Sequence, residues 1–141
     1  MEPSKVYFTN LRTDYENPLP VKLKRLIKRA GIETIDFTDR FVAIKMHFGE
    51  PGNLSFLRPN FARAVADVIR AKGGKPFLTD CNTLYPGRRK NALEHLDAAA
   101  ENGFSVASTG CQVIIADGLK GLDEKIVPLT GTKHVKEAKI G

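Results

Sequence analysis

Six residues of this 141-residue chain have types and positions suited to chemistry: His47, Glu50, Asn53, Asp80, Asn82 and Asp117. His47 ends the apolar run Val42-Ala43-Ile44-Lys45-Met46 and opens the polar stretch Gly49-Glu50-Pro51-Gly52-Asn53. Asp80 and Asp117 end two further apolar runs, Pro76–Thr79 and Val113–Ala116. A strand, a polar turn and a helix in that order make half of a βαβ unit, and open α/β sheets bind ligands just past the carboxyl ends of their strands. With the three strands side by side, His47, Asp80 and Asp117 share one rim. Histidine with carboxylates suits a divalent metal or general acid–base work, so His47 and Asp80 are the candidate catalytic pair and all three are candidate metal ligands. Capping is the competing explanation for the two aspartates, because an Asp side chain bonds nearby backbone N–H groups.

The loops between these strand ends and the next helices supply candidate ligand contacts. Gly49 and Gly52 let the backbone approach a ligand, and a helix start offers free N–H groups to an anion. Arg58 lies at that helix start and can pair with an anionic group. The segment matches neither G-x-G-x-x-G nor G-x-x-x-x-G-K-[ST], so a plain tight turn competes with a phosphate cradle. Asp80-Cys81-Asn82-Thr83-Leu84-Tyr85 is dense in functional groups, and Arg88 and Arg89 follow as anion clamps or solvated first-turn residues. The candidate anion-binding set is therefore Gly49, Glu50, Gly52, Asn53, Arg58, Asn82, Tyr85 and Arg88. Cys81 is either a nucleophile of lowered pKa paired with His47 or a small buried apolar residue. His95 falls near the apolar stripe of a helix and reads as structural.

Lys5–Phe8 reads as a first strand. Leu23, Leu26, Ile27 and Ala30 recur at helical spacing after Pro20, with Gly31 as the stop and basic residues on the other face. The Val42–His47 strand follows. A second helix starts at Pro59, with Phe61, Val65, Val68 and Ile69 as its buried stripe. A third buries Ala92, Leu93, Leu96 and Ala100. Lys125–Pro128 and His134–Ile140 flank Thr130-Gly131-Thr132 and predict an antiparallel hairpin at the edge of the sheet. Strands alternating with helices imply right-handed crossovers. The expected fold is a single α/β domain over residues 1–141: a three-layer sandwich with a mostly parallel sheet and a C-terminal antiparallel hairpin. The last residues end directly on a strand, which reads as the N-terminal part of a longer protein.

Composition narrows the function classes. The chain is 42% hydrophobic and 27% charged, as for a globular protein rather than a disordered one. No apolar run approaches the roughly 18 residues of a membrane span, and the first residues lack a signal peptide's pattern. The expected setting is the cytoplasm, without a membrane partner. Two cysteines, Cys81 and Cys111, build neither a structural zinc site nor an iron–sulfur cluster by themselves. The net charge of +6 favours anions. It concentrates in Lys22, Lys24, Arg25, Lys28 and Arg29 and again in Arg88, Arg89 and Lys90. No aromatic residue interleaves with either cluster, so nucleic acid is not the expected partner.

The strings VAIKMHFGEPGN, FLRP, GGKPFLTDCNTLYPGRR, ENGF and IIADGL, in that order from residue 42 to residue 119, resemble the domain-of-unknown-function 362 family. The resemblance implies a cytoplasmic bacterial or archaeal protein, typically much longer than this chain. Many members carry paired [4Fe–4S] cysteine motifs downstream. Those motifs are absent here, so no cofactor is expected within this chain and clusters belong to the full-length protein. The family's recurring positions, here His47, Glu50, Asn53, Asp80, Asn82 and Tyr85, coincide with the rim. The expected function is thus a ligand- or anion-binding domain of an iron–sulfur redox protein, with a small anion or divalent metal and the missing C-terminal region as partners. The alternatives are a non-catalytic binding module for nucleic acid or an acidic partner, and a structural domain that docks on the cluster-bearing region.

Overall fold

The computed structural model describes residues 3–141. Three parallel strands form the central sheet: β1 (Phe41–Lys45), β2 (Lys75–Asp80) and β3 (Val113–Ile115), in spatial order β1-β2-β3. Lys45 lies opposite Thr79 and Asp80 opposite Ile115, so the carboxyl ends of neighbouring strands are level. Helix α2 (Pro59–Ala71) connects β1 to β2, and α3 (Ala92–Glu101) with the short α4 (Val106–Thr109) connects β2 to β3. Strands β4 (Lys125–Pro128) and β5 (Glu137–Ile140) pair antiparallel as a separate two-stranded sheet, not as an edge of the first. The α/β class, the parallel sheet and the C-terminal hairpin are those the sequence predicts.

The layers follow from the strand order. A sheet built outward in one direction by right-handed crossovers receives all its crossover helices on one face. Paired residues of a sheet share a face, and Ile44, Leu78, Val113 and Ile115 pack with Ala62 and Ala66 of α2 and Ala92 and Ala99 of α3 in one core. On the opposite face Phe41 is 80% exposed and Ile114 48%. The third layer is α1 (Leu19–Arg29), which lies on α2 rather than across the sheet.

The predicted face of α3 is rotated, while that of α2 holds at Val68 and Ile69 and extends onto alanines. In α3 the buried residues are Ala92, His95, Ala98 and Ala99, while Leu93 is 66% and Leu96 36% exposed. Phe48 and Phe104, in edge contact at 5.2 Å between ring centres, already fill the space between α3 and the sheet. Only small residues fit above them. In α2 the alanines Ala62 and Ala66 join the core beside Val68 and Ile69, whereas Phe61 lines a pocket with Leu19 and Leu23 of α1.

Residues 3–10 carry no regular structure, so the strand predicted at Lys5–Phe8 does not form. No neighbouring strand offers it a ladder. Lys22 of α1 holds the segment instead, donating from Nζ to the carbonyls of Asn10 and Arg12 and to Asn10 Oδ1.

Candidate functional site

The rim is built by the chain leaving β1 and β2. Beyond Lys45, Met46 still donates its N–H to Thr79 O at 3.1 Å, and His47 is the first residue past the ladder. Phe48 then anchors the loop in the core, with its carbonyl accepting from Asn102 Nδ2 at 2.9 Å. Beyond Gly49, Glu50–Asn53 form a tight turn in which Asn53 N–H bonds Glu50 O at 3.0 Å. Pro51 and Gly52 occupy its two central positions, and Gly52 has φ +83°, the signature of a type II turn. Gly52 is thus accounted for by the turn. Asn53 is exposed and its Oδ1 takes the N–H of Ser55, a local Asx turn.

Arg89 holds the rim together. It is 2% exposed, and its guanidinium reaches four side chains. Nε donates to Glu50 Oε1 at 2.7 Å and Nη1 to Asp80 Oδ2 at 3.1 Å. Nη2 donates to Tyr85 Oη and lies 2.8 Å from His47 Nε2. Tyr85 Oη in turn donates to Glu50 Oε1 at 2.6 Å. Asp80 Oδ1 accepts from Lys45 Nζ at 2.9 Å and from Cys81 N–H at 3.0 Å. The charges of Arg89, Lys45, Glu50 and Asp80 cancel. Both carboxylates act as struts for the arginine, which matters because an unpaired buried charge costs several kcal/mol.

The ionisation of these groups follows from the same contacts. The hydrogen bond from Arg89 holds the Glu50 carboxyl below its ordinary range, against the opposing effect of burial. The bond to Glu50 raises the Tyr85 phenol, which stays a donor. Burial opposes the charge of Arg89 most strongly, but Glu50 and Tyr85 together outweigh it and the guanidinium lies above its ordinary value. Burial, then Asp117 and Asp80, push the Cys81 thiol up. Cys81 is therefore no thiolate, and the reading of it as an activated nucleophile is corrected: no cation sits close enough to offset burial beside two carboxylates.

His47 is exposed and oriented by its own loop. Gly49 N–H donates to Nδ1 at 2.9 Å. Both ring nitrogens thus face donors, Gly49 N–H at Nδ1 and Arg89 Nη2 2.8 Å from Nε2. A neutral imidazole has one lone pair, so it accepts from only one of them and the other contact lacks an acceptor.

The remaining predicted residues are elsewhere. Asp117 is buried and clamps Asn82, taking its backbone N–H at 2.9 Å and Nδ2 at 3.0 Å. This is a tertiary clamp between two strand ends rather than a local cap, and Asn82 is turned into the fold by it. His47, Asp80 and Asp117 do not converge as ligands, and no group of three or more His, Cys, Asp or Glu is arranged for a metal among the described residues. Arg88 points outward to Glu101 at 2.6 Å. Arg58 is exposed beside Asp14, Pro18 and Phe61, away from the rim. Gly49 stays at the site, with φ +87°.

The sequence reading weighed Arg89 only as an anion clamp or a solvated residue, took His95 as structural, and passed over Lys45. Lys45 carried a signal, as a cation inside an otherwise apolar strand. His95 is fully buried against Phe48, with Nε2 3.7 Å from Asp80 Oδ2 and neither ring nitrogen hydrogen-bonded. Burial lowers its pKa from the ordinary 6.5, partly offset by Asp80. The folded state then binds fewer protons than the unfolded one, and stability falls as pH drops below 6.5 toward the folded value. His95→Leu removes two unsatisfied polar atoms and keeps an apolar filling, so it should leave stability at pH 7.5 unchanged or higher. It should also flatten the loss between pH 7.5 and pH 5. Urea midpoints at the two pH values check this, and an unaltered acid loss in the variant would remove His95 as its source.

The chain matches the sequence model of a family described as "Domain of unknown function (DUF362)" over residues 42–141, a span that includes the whole rim. No curated protein and no solved structure matches it.

Proposed function

The chain belongs to the DUF362 family, and we propose that it is a ligand-binding α/β domain that holds a small oxyanion, a carboxylate or phosphate, on the rim at His47. The two donors that face the single lone pair of the His47 imidazole carry this reading. An oxygen at the rim beside His47 and Tyr85 supplies the acceptor that one of these contacts lacks. The site lies past the carboxyl ends of two parallel strands, where sheets of this kind take ligands. The positive net charge favours the approach of an anion. His47 is the ligand contact in this reading. Arg89, Glu50 and Asp80 position the loops and hold fixed charges, so the domain binds and orients rather than moves protons.

In the whole protein the ligand would be the substrate of an iron–sulfur redox reaction, with the cluster cysteines outside this sequence. The intact mass of the native protein from its source cells tests that part. A mass well above 15.5 kDa directs the search for iron and cysteine motifs to the remaining chain, and a mass of 15.5 kDa ends the cluster reading.

Thermal unfolding in inorganic phosphate and in acetate tests the site. At ten times its dissociation constant a bound anion stabilises the fold by about 1.4 kcal/mol, a rise in melting temperature of a few degrees. The rise should vanish in His47→Ala, which keeps its fold because His47 is exposed. An equal rise in the variant, or none in the parent protein with either anion, would reject the site.

A further inference from the structure

The five cations of α1 do not form one patch. Lys24 Nζ lies 2.9 Å from Asp67 Oδ2, and Lys28 Nζ lies 3.0 Å from Glu33 Oε1. These two charges are cancelled. Lys22, Arg25 and Arg29 occupy another face, spaced three and four residues apart. None of them has a carboxylate partner among the described residues. Lys22 gives its three N–H groups to carbonyl and amide oxygens of Asn10 and Arg12. Arg25 donates to Asn17 Oδ1. Neutral acceptors occupy donors without cancelling charge, so Arg25 and Arg29 stand uncompensated on one face, while Lys22 has only the nearby charge of Asp14.

The segment that Lys22 ties down brings an aromatic ring to the same place. Phe8, Thr9, Lys22, Arg25, Leu26 and Arg29 line one groove of about 200 Å³. Phe8 is 84% exposed, and its neighbour Tyr7 is also exposed. The sequence shows no aromatic residue near this basic cluster because Phe8 arrives through a tertiary contact. A solvated basic face is the plain alternative, but it gives no reason for a phenylalanine to stand open beside the cations.

We propose that this groove binds single-stranded nucleic acid, with a base stacked on Phe8 and backbone phosphates on Arg25 and Arg29. Lys22 adds charge and holds the Phe8 segment in place. Stacking on an open ring needs an unpaired base, which favours a single strand over a duplex. The groove is too small to enclose a drug-sized ligand and suits one that runs across it. This site is separate from the rim, and neither reading depends on the other.

Fluorescence anisotropy of the intact chain with short labelled oligothymidine and oligouridine tests the proposal. Binding at low salt is expected, with log K falling against log salt at a slope of about −1.4 for two phosphate contacts. Arg25→Ala with Arg29→Ala should bring that slope close to zero. Phe8→Ala should weaken binding about five- to hundredfold. Lys24→Ala with Lys28→Ala should leave it within about twofold, since those charges are already paired. His47→Ala should leave it unchanged, which separates this site from the rim. Absence of binding to either oligomer would overturn the proposal. So would equal losses from the two cation pairs, an unaffected Phe8→Ala, or a labelled duplex that binds as tightly as the single strand.

Discussion

Arg89→Met is expected to destabilise the domain by about 3–5 kcal/mol, the cost of removing one partner from a buried ion pair. The melting temperature should fall by on the order of 10–15 °C. Methionine fills much of the arginine's volume, so the loss is electrostatic rather than a cavity. Asp80 is 7% exposed and keeps only Lys45 and a backbone N–H, while Glu50 at 30% keeps some water. Asp80 therefore bears the larger penalty. Adding Asp80→Asn and Glu50→Gln to Arg89→Met should recover most of the loss, because no buried charge then lacks a partner. Urea denaturation of the single and triple variants checks both statements. A loss under about 1 kcal/mol in Arg89→Met would mean that the network is solvated and holds nothing. The acid limb gives a second readout. Glu50 sits below its ordinary value of 4.5 through the bond from Arg89, so its contribution is complete above that pH and is lost as pH falls through the folded value. Arg89→Met should flatten that limb.

Gly49→Ala and Gly52→Ala should differ sharply although both glycines lie in one loop at similar positive φ. A Cβ at Gly49 would stand 2.6 Å from both Asn102 Nδ2 and Phe56 Cδ1, whereas one at Gly52 meets nothing within 4 Å. Gly52→Ala bears only the conformational cost, about 1–2 kcal/mol. Gly49→Ala adds an overlap worth roughly 1–3 kcal/mol more. Relief of the overlap would push Phe56 and Asn102 aside. It would also move the N–H that orients His47 Nδ1. Gly49→Ala should therefore lose anion binding as well as stability, while Gly52→Ala keeps binding. Thermal unfolding with and without phosphate distinguishes the two, and equal behaviour would show that the loop tolerates a side chain at Gly49.

The reading of the candidate residues as capping or chemistry divides along these lines. Gly52 and Asn53 belong to a local turn whose logic is legible in Pro51-Gly52 and in the Asx geometry two residues on. Asp117 turned out to be a tertiary clamp for Asn82 rather than a local cap, because the level ends of β2 and β3 bring its carboxylate to the Asn82 N–H. Arg88 and Arg89 are neighbours with opposite fates. They lie outside any helix or strand, so no periodicity assigned either of them a face. The face of α3 was misjudged for a related reason: apolar size was counted, but Phe48 and Phe104 had already filled the space.

By itself the sequence determined what local chemistry controls. The apolar runs set the three parallel strands, the polar residues after them marked the rim, Pro51-Gly52 set the turn, and Thr130-Gly131-Thr132 the hairpin. The strings that resemble DUF362 identified the family. Only the tertiary structure decided which charges meet. Arg89 finds His47 forty-two positions away, Lys24 finds Asp67 and thereby leaves α1, and Phe8 settles beside Arg25 and Arg29. Secondary structure is governed by neighbours along the chain, whose spacing is written in the sequence. A charge or an exposed ring has its role set by whatever the packed elements bring within a few ångströms of it.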